Sequence, residues 1–402
     1  MLPDRTGASA VWVAQRVDDS HVGVVANSFS VREVGLDDTH AFLYSSTMLP
    51  DALATKRWRH GAPFDFTRIY AGAEPGHKYA SGRRMWRAFN LLAPAAAASL
   101  PTQYSEYVTS APYPATCMCS SSNTCPSPAS CVGMTLTRCL NSFPLRLAPI
   151  VPAANVSAKA FKRVMRDFYE GTAFDLTSGL AAGAFGSPAR WSVPASTRGN
   201  WERPISLMRT IVSYVAVCRE AMPAVVGGVL WFAFYAAHTA VYVPFPVGIL
   251  VSDAPLPAGF TSNTASRVDR NVSAHQASRF VFNAAQLDFK KSMPVVRATQ
   301  AAWEAHGERV IDESATAYIA GSIGVRDVAE ACYVHALAAI SAWWDLADEL
   351  QLIVAYPHET YPGWWLDAVN YSSGPPSSPP VPPIRVEQAL ELEPSVHVSS
   401  IR

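Results

Sequence analysis

Five of the seven cysteines lie in one short segment, residues 117–139, with the spacing C-x-C-x5-C-x5-C-x7-C. Clustered thiolates are typical ligands of zinc. The segment has no C-x2-C pair and no histidine, however, and it is rich in serine. We therefore interpret residues 115–142 as a disordered loop that has too few apolar residues for a core of its own, rather than as a metal site.

Three carboxylates also lie close together in the sequence, at Asp167, Glu170 and Asp175. Carboxylates three residues apart share a helix face and could form an acid–base pair or bind a metal. No histidine accompanies them. We interpret them as structural groups that accept hydrogen bonds from loop N–H groups or pair with Arg190, and we predict no cofactor and no metal.

The carboxylates follow a predicted helix that begins after Ser157, whose hydroxyl can cap the first turn. We expect Gly171 to end this helix. Its apolar residues recur at helical spacing on one face: Phe161, Val164, Met165 and Phe168.

Beyond this helix, three glycines recur at short intervals between small residues: Gly179, Gly183 and Gly186. Glycine adopts backbone conformations that other residues avoid. We therefore expect sharp turns there, or close approach of another segment.

Nearer the N-terminus, residues 12–34 alternate apolar and polar side chains around Asp18, Asp19 and Ser20, which predicts a core hairpin with its turn at these residues. Residues 42–73 are mixed and helical in part. Residues 84–92 predict a helix that Pro94 stops.

Residues 221–252 are nearly free of charge and long enough to suggest a membrane span. We interpret them instead as strands: a β-rich run at 229–235, a turn at 236–238, and a second run at 239–243. Pro244 and Pro246 would break a helix in this region. A membrane helix is the alternative, because periodicity separates buried strands poorly from buried helices.

Residues 325–352 predict a long helix that packs along one face. We place His335 at the edge of that face rather than in catalysis, and Asp345, Asp348 and Glu349 on the solvent side. The apolar positions come three and four residues apart: Val328, Ala331, Cys332, Ala339, Ala342, Leu346 and Leu350.

The 402 residues include 32 basic and 32 acidic side chains, so the formal charge is zero. This balance provides no bulk field for nucleic acid or an anionic membrane, and we predict neither as a partner. The first ten residues have neither a basic region nor an apolar one, unlike a secretory signal. We assign no compartment.

Several blocks together resemble the peptidase family C69 dipeptidases, relatives of the secernins among the N-terminal nucleophile (Ntn) hydrolases. The resemblance runs from about residue 12 to about residue 369, with one interruption. The cysteine-rich segment is missing from the family pattern, which implies that it is an inserted loop or translated intron-like sequence. The blocks are WVAQRVDDSHVGVVANSFSVREV, SGRRMWRAFNLLAP, SAKAFKRVMRDFYEGTAFDLTSGLAAGAFGSPARW and AWWDLADEL.

The resemblance implies an α/β fold, the four-layer αββα sandwich of the Ntn hydrolases. We expect residues 1–370 to form the C-terminal portion of that domain, incomplete at its N-terminus. Residues 371–402 are rich in proline, which favours extended structure without internal hydrogen bonds, and we expect a disordered tail.

In this family the nucleophile is an N-terminal cysteine. Its own α-amino group, with a pKa of about 7.7 to 8.0, accepts the thiol proton. Attack on the peptide carbonyl gives a thioester that water hydrolyses. The first cysteine of this chain, Cys117, lies in the inserted segment, and nothing marks a processing site before Thr6 or Ser9. The expected nucleophile is absent, so we expect the chain as written to be inactive.

The resemblance assigns supporting roles to two residues. Asn27 falls where the related choloylglycine hydrolases carry an asparagine that hydrogen-bonds the α-amine or the developing oxyanion. Arg84 falls where they place an arginine beside the thiol, which would favour the thiolate. The alternatives are that Asn27 satisfies a strand end, and that Arg83 or Arg87 is the arginine that points inward.

The sequence therefore predicts a cysteine-type dipeptidase by family, with a dipeptide as its partner and no cofactor. The alternative is a non-catalytic, secernin-like binding or scaffold protein. Whether the chain forms a homo-oligomer stays open.

Overall fold

The structure is a computed structural model that describes residues 11–17, 20–27, 31–70, 81–98, 151–190, 203–251, 256–261, 273–354 and 360–374. The predicted insertion at 115–142 and the tail from residue 375 onward lie outside these residues. Within them the fold is mixed α/β, with two small antiparallel sheets and a set of helices.

The first sheet joins strand β1 (Val13–Gln15) to strand β2 (Phe42–Tyr44), with Val13 opposite Tyr44. The predicted hairpin within residues 12–34 is therefore wrong, because the partner of the first strand comes from further along the chain. The alternation at residues 21–27 has another cause. Val22 and Val24 turn their side chains toward Phe89 and Leu92 of a helix.

Two short helices follow, α1 (Met48–Ala54) and α2 (Phe66–Tyr70), which confirms that residues 42–70 are helical in part. They enclose a small core of buried residues: Val34, Met48, Ala52, Trp58, Phe64, Phe66 and Ile69.

Helix α3 (Arg83–Leu92) confirms the helix predicted at 84–92. It ends at Ala93, whose φ of −143° is not helical. Pro94 then begins a further short helix, α4 (Pro94–Ala97), because a proline lacks only an N–H that a first turn leaves unpaired.

Helix α5 (Ala158–Met165) begins as predicted, since the Ser157 hydroxyl accepts a hydrogen bond from the Ala160 N–H at 3.2 Å. It ends before Gly171, which corrects the predicted end. Phe161 is also 40% exposed, so it does not belong to the buried face, whereas Phe168 is buried in the turn beyond the helix.

The glycines after α5 adopt the predicted conformations. Gly179, Gly183 and Gly186 have φ values of 76°, 69° and 75°, on both sides of a 3₁₀ turn at Leu180–Ala182. At Gly186 another segment also comes close, because an added Cβ would lie 3.1 Å from the Thr177 carbonyl oxygen.

The second sheet has the order β3-β4-β5, with all neighbours antiparallel. Its elements are strand β3 (Val212–Cys218), a helical turn α6 (Ala224–Gly227), strand β4 (Gly228–Phe234) and strand β5 (Val243–Pro246).

The strands predicted within residues 221–252 are confirmed in type. The second of them begins at Val243, later than predicted, after a buried connection at 236–242. Pro244 and Pro246 are tolerated because β5 lies at an edge of the sheet. Among the described residues, no helix has the length and apolar character needed to cross a membrane.

The described residues that follow the second sheet are mainly helical, and their helices are α7 (Ala258–Thr261), α8 (Ala274–Ala285), α9 (Phe289–Ile319), α10 (Val325–Ile353) and α11 (Gly363–Ala368). A 3₁₀ turn at Val247–Val251 precedes them.

Helix α10 confirms the long helix predicted at 325–352, and Asp345, Asp348 and Glu349 are on its exposed side. The position predicted for His335 is wrong. This residue is 1% exposed and faces α9 inside the core, because α9 covers the side of α10 on which His335 lies.

The main core lies on both faces of the second sheet. One cluster joins Val243 and Phe245 of β5 to helices α8, α9 and α10, with Trp343 at its centre. The other cluster covers the opposite face of β4 around Trp231 and includes Cys332.

Candidate functional site

The structure brings together the two residues that the resemblance singled out. The Arg84 guanidinium donates a hydrogen bond through Nη2 to Oδ1 of Asn27 at 2.7 Å. Arg84 lies in the first turn of α3, and Asn27 lies 57 positions earlier, in an irregular segment. Asn27 has a φ of 53°, in the left-handed region that asparagine tolerates better than most residues.

This hydrogen bond fixes the orientation of the Asn27 amide. A guanidinium has donors and no acceptor, so the amide oxygen must face Arg84. The Nδ2–H groups of Asn27 then remain as donors on the other side of the amide. Such a donor is the type of group that stabilises a developing oxyanion.

Burial shapes the electrostatics of Arg84. Its pKa is lowered chiefly by burial, and the nearby Arg203 lowers it further, while Tyr169 acts in the opposite direction. Tyr169 is fully buried, and its hydroxyl donates to the Arg203 carbonyl oxygen at 2.6 Å. Burial raises the pKa of Tyr169, so its hydroxyl stays protonated beside Arg84.

Sequence reasoning missed Tyr169 as a neighbour of the site. Its φ is 69°, which is rare for an aromatic residue. Asp167 stabilises this conformation by accepting a hydrogen bond from the Tyr169 N–H at 2.7 Å. The local sequence carries no signal for the positive φ of Tyr169, because nothing in it distinguishes such a tyrosine from one in a helix.

The other two arginines of α3, Arg87 and Arg83, make contacts that stabilise the fold. Arg87 forms a two-point ion pair with Asp167, with Nε–Oδ1 and Nη2–Oδ2 distances of 2.9 and 2.7 Å, and both side chains are buried. It also donates to the Glu170 carbonyl oxygen at 2.7 Å. Arg83 is buried, with its guanidinium carbon 3.7 Å from the centre of the Phe174 ring.

Arg87 is thus the arginine that joins α3 to the segment after α5. Arg83 and Arg87 are both buried. Arg84, the half-buried one, is the arginine beside Asn27.

The three carboxylates have structural partners, as predicted. Asp175 accepts hydrogen bonds from the N–H groups of Gly171 at 3.0 Å and Thr177 at 2.9 Å. Glu170 pairs with Arg297. Arg190 instead donates to the carbonyl oxygens of residues 176, 187 and 189. No group of three metal-binding side chains converges within the described ranges.

Two cysteines lie in the described part of the chain. Burial raises the pKa of the Cys332 thiol to about 12, so this thiol stays protonated and unreactive at neutral pH. Cys218 is exposed at the end of β3. The five cysteines at 117–139 lie outside the described residues.

The half-buried Arg84 and the Asn27 amide that it orients form a polar site next to α3. The chain belongs to peptidase family C69, whose model matches residues 5–113 and 140–302. Asn27, Arg84 and Tyr169 all lie within the matched residues. The segment between 113 and 140, and helix α10 with its AWWDLADEL block, lie outside them.

A curated relative points in the same direction. The chain is 22% identical over 249 residues to a probable dipeptidase of Salmonella dublin. The match covers 61% of this chain and 44% of that relative, so the chain spans less than half of the relative's length. The family model and this relative agree on the peptidase family to which the chain belongs.

Proposed function

We propose that this chain carries the active-site framework of a dipeptidase that works as a cysteine-type Ntn hydrolase. The observation that carries the proposal is the 2.7 Å hydrogen bond between Arg84 and Asn27. The family match and the name of the Salmonella dublin relative support the substrate class. The four-layer αββα sandwich belongs to this proposal rather than to the described fold, because the described residues form only two small sheets.

In this proposal Arg84 stabilises a thiolate. A guanidinium next to a thiol favours its ionised form and makes it a better nucleophile at neutral pH. Asn27 presents its Nδ2–H groups to the carbonyl oxygen of the dipeptide, which becomes negatively charged when the thiolate adds to the carbonyl carbon. The adduct collapses to a thioester when the peptide C–N bond breaks, and the leaving amine takes up the proton held by the α-amine and departs as the C-terminal amino acid. Water then hydrolyses the thioester, which releases the N-terminal amino acid and restores the thiol.

The thiol itself has to be identified. No cysteine precedes Cys117 in the sequence, and Cys332 is kept protonated by burial. We therefore expect no hydrolysis of dipeptides by the 402-residue polypeptide alone. Asn27 and Arg84 become catalytic only in a polypeptide that places a cysteine, with its free α-amine, beside them.

The test measures amino-acid release from a panel of dipeptides by the purified chain. We expect no release above the buffer blank. Turnover that disappears in Asn27→Ala, but not in the exposed control Arg163→Met, would refute the predicted inactivity.

Sequencing the 5′ end of the transcript separates the remaining cases. If the transcript encodes a longer polypeptide with a processed N-terminal cysteine, that polypeptide should hydrolyse dipeptides and should lose this activity in Asn27→Ala. If it encodes no such cysteine, the hypothesis of a non-catalytic binding protein replaces that of a dipeptidase.

A further inference from the structure

Strand β3 has an open edge. Among the described strands it pairs only with β4, and its other side, here called the outer edge of β3, faces away from the sheet. The strand is seven residues long, and its sequence VSYVAVC has no charge, no proline and no glycine. It therefore lacks the devices by which natural proteins block edge strands.

The register shows which residues present their backbone groups at the outer edge. The Arg219 N–H donates to the Gly227 carbonyl oxygen at 2.8 Å, and the Tyr235 N–H donates to the Ile211 carbonyl oxygen at 2.9 Å. Residues 211 and 219 thus belong to the hydrogen-bonded pairs with β4. Because these pairs alternate in an antiparallel ladder, the odd-numbered residues of β3 bond β4.

The even-numbered residues therefore direct their N–H and C=O groups toward the outer edge. The same residues have exposed side chains, with Tyr214 59% exposed, and the adjoining Ile211 is 71% exposed. Four residues make up this set: Val212, Tyr214, Ala216 and Cys218. The outer edge thus combines exposed apolar side chains with backbone hydrogen-bonding groups that no residue in the described ranges occupies.

We propose that the outer edge of β3 pairs antiparallel with the outer edge of β3 in a second copy of this chain, about a two-fold axis at Val215. The two sheets would then form one continuous sheet of six strands. This interface is independent of the Asn27–Arg84 site.

The register about Val215 uses the whole strand. It places Val212 opposite Cys218 of the second copy, and Tyr214 opposite Ala216, so that a large side chain lies beside a small one. Each of these pairs exchanges two backbone hydrogen bonds, which gives about eight over the interface. Shifting the axis by half a residue would oppose even-numbered residues to odd-numbered ones, whose backbone groups already bond β4. Shifting it by one residue, to Ala216, would place Val212 opposite Glu220, beyond the end of the strand.

Charge also favours this arrangement. Arg209 and Glu220 are exposed just beyond opposite ends of β3. Antiparallel pairing about Val215 brings Arg209 of one copy next to Glu220 of the other, at both ends of the interface. A parallel arrangement would place like charges together. The charges therefore select a second copy in the antiparallel orientation.

Sedimentation of the full 402-residue chain under reducing conditions tests the proposal. We expect a concentration-dependent dimer. Ala216→Pro removes an N–H that faces the outer edge and leaves the bonds to β4 intact, so it should weaken the dimer at least tenfold. Tyr214→Lys places a charge on the same edge and should also weaken it at least tenfold.

Leu180→Lys is the matched control, because Leu180 is an exposed apolar residue away from the sheet. It should leave the dimer unchanged. Circular dichroism confirms that each variant folds, and Tyr214→Lys remains informative if Ala216→Pro does not fold.

Hydrogen exchange supplies the second readout. The amides of Val212, Tyr214, Ala216 and Cys218 should be protected in the dimer and lose protection on dilution. A chain that is monomeric at every concentration overturns the proposal, and so does a dimer that survives both variants. A monomer with these amides protected also overturns it, since another segment of the same chain would then occupy the edge.

Discussion

The Nδ1 atoms of His306 and His335 lie 2.8 Å apart where the two longest helices, α9 and α10, cross. Two histidines in this contact must share one proton between the facing nitrogens. Trp303 lies against both rings. His335 Nε2 is buried and has no hydrogen-bond partner within the described part of the chain, which favours the tautomer that keeps the His335 proton on Nδ1 and makes His306 Nδ1 the acceptor.

This pair makes the stability of the fold sensitive to acid. Burial, and to a smaller extent His306, lowers the pKa of His335 from 6.5 to about 4. Between these values the unfolded chain binds a proton that the folded chain does not, so stability falls as pH drops below 6.5. The full effect is about 3 kcal/mol in the free energy of unfolding.

Urea unfolding of wild type and His335→Gln at pH 7, 6, 5 and 4 measures this effect. The variant should show a flatter pH dependence than wild type. His60→Gln, which changes an exposed histidine, should show the wild-type slope. Equal slopes in wild type and His335→Gln would contradict the prediction.

Gly307 permits the close crossing of the same two helices. A Cβ at this position would lie 2.9 Å from His335 Nε2 and 3.0 Å from Pro244 Cδ. Alanine favours a helix over glycine by about 1 kcal/mol, but overpacking costs about 1–3 kcal/mol. We expect Gly307→Ala to lower the free energy of unfolding, measured in urea.

Gly363→Ala is the control for this substitution. Gly363 begins helix α11, and an added Cβ there meets no atom within 4 Å. It should leave stability unchanged or raise it. A Gly307→Ala chain as stable as wild type would show that the helices can separate without cost.

The arginines of α3 should differ in their effect on stability. Arg87→Met leaves the buried Asp167 carboxylate without its partner, and we expect it to cost about 3–5 kcal/mol in the free energy of unfolding. Arg84→Met removes one hydrogen bond of a half-buried guanidinium, and we expect a cost of about 1 kcal/mol.

Chemical denaturation of the two variants side by side gives the comparison. Each is the other's control, because the same substitution is made on the same helix. A loss of several kcal/mol in Arg84→Met would assign Arg84 to the architecture and remove the main support for its role in the proposed site.

The sequence predicted those parts of the fold that depend on local patterns. The Ser157 cap, the positive φ angles of Gly179, Gly183 and Gly186, and the long helix α10 all follow from neighbouring residues. The pairing of β1 with Phe42–Tyr44 does not, since the choice between partner strands is made by packing across the chain.

The site shows the same division. Asn27 and Arg84 were identified by resemblance, and the structure places them in contact. Tyr169 was missed, because its position depends on a carboxylate two residues earlier that is itself held by Arg87, 80 residues away. A side chain whose conformation depends on such a distant partner leaves no local pattern in the sequence.

Lys162 is a deeply buried basic residue outside the site. Its Nζ lies 3.3 Å from the centre of the Trp231 ring and 3.7 Å from Glu304 Oε2, with no hydrogen-bond acceptor among the described residues. Burial lowers its pKa from 10.5, while Glu304 acts in the opposite direction. Glu304 also pairs with Arg166 and accepts a hydrogen bond from the Tyr242 N–H at 3.0 Å.

The Lys162 ammonium should therefore destabilise the fold at neutral pH. A base whose pKa is lower in the folded state makes stability rise with pH, from that lowered pKa up to 10.5. Lys162→Met removes the charge and keeps the length of the side chain, so stability at pH 7 should be unchanged or higher and the rise toward pH 10 should be smaller. Glu304→Gln removes the carboxylate that pairs with both Lys162 and Arg166 and should cost about 3–5 kcal/mol. Urea unfolding at pH 7, 8, 9 and 10 measures both variants. If Lys162→Met lowers the free energy of unfolding by more than about 2 kcal/mol at pH 7, the favourable contacts of the ammonium outweigh the cost of burying it.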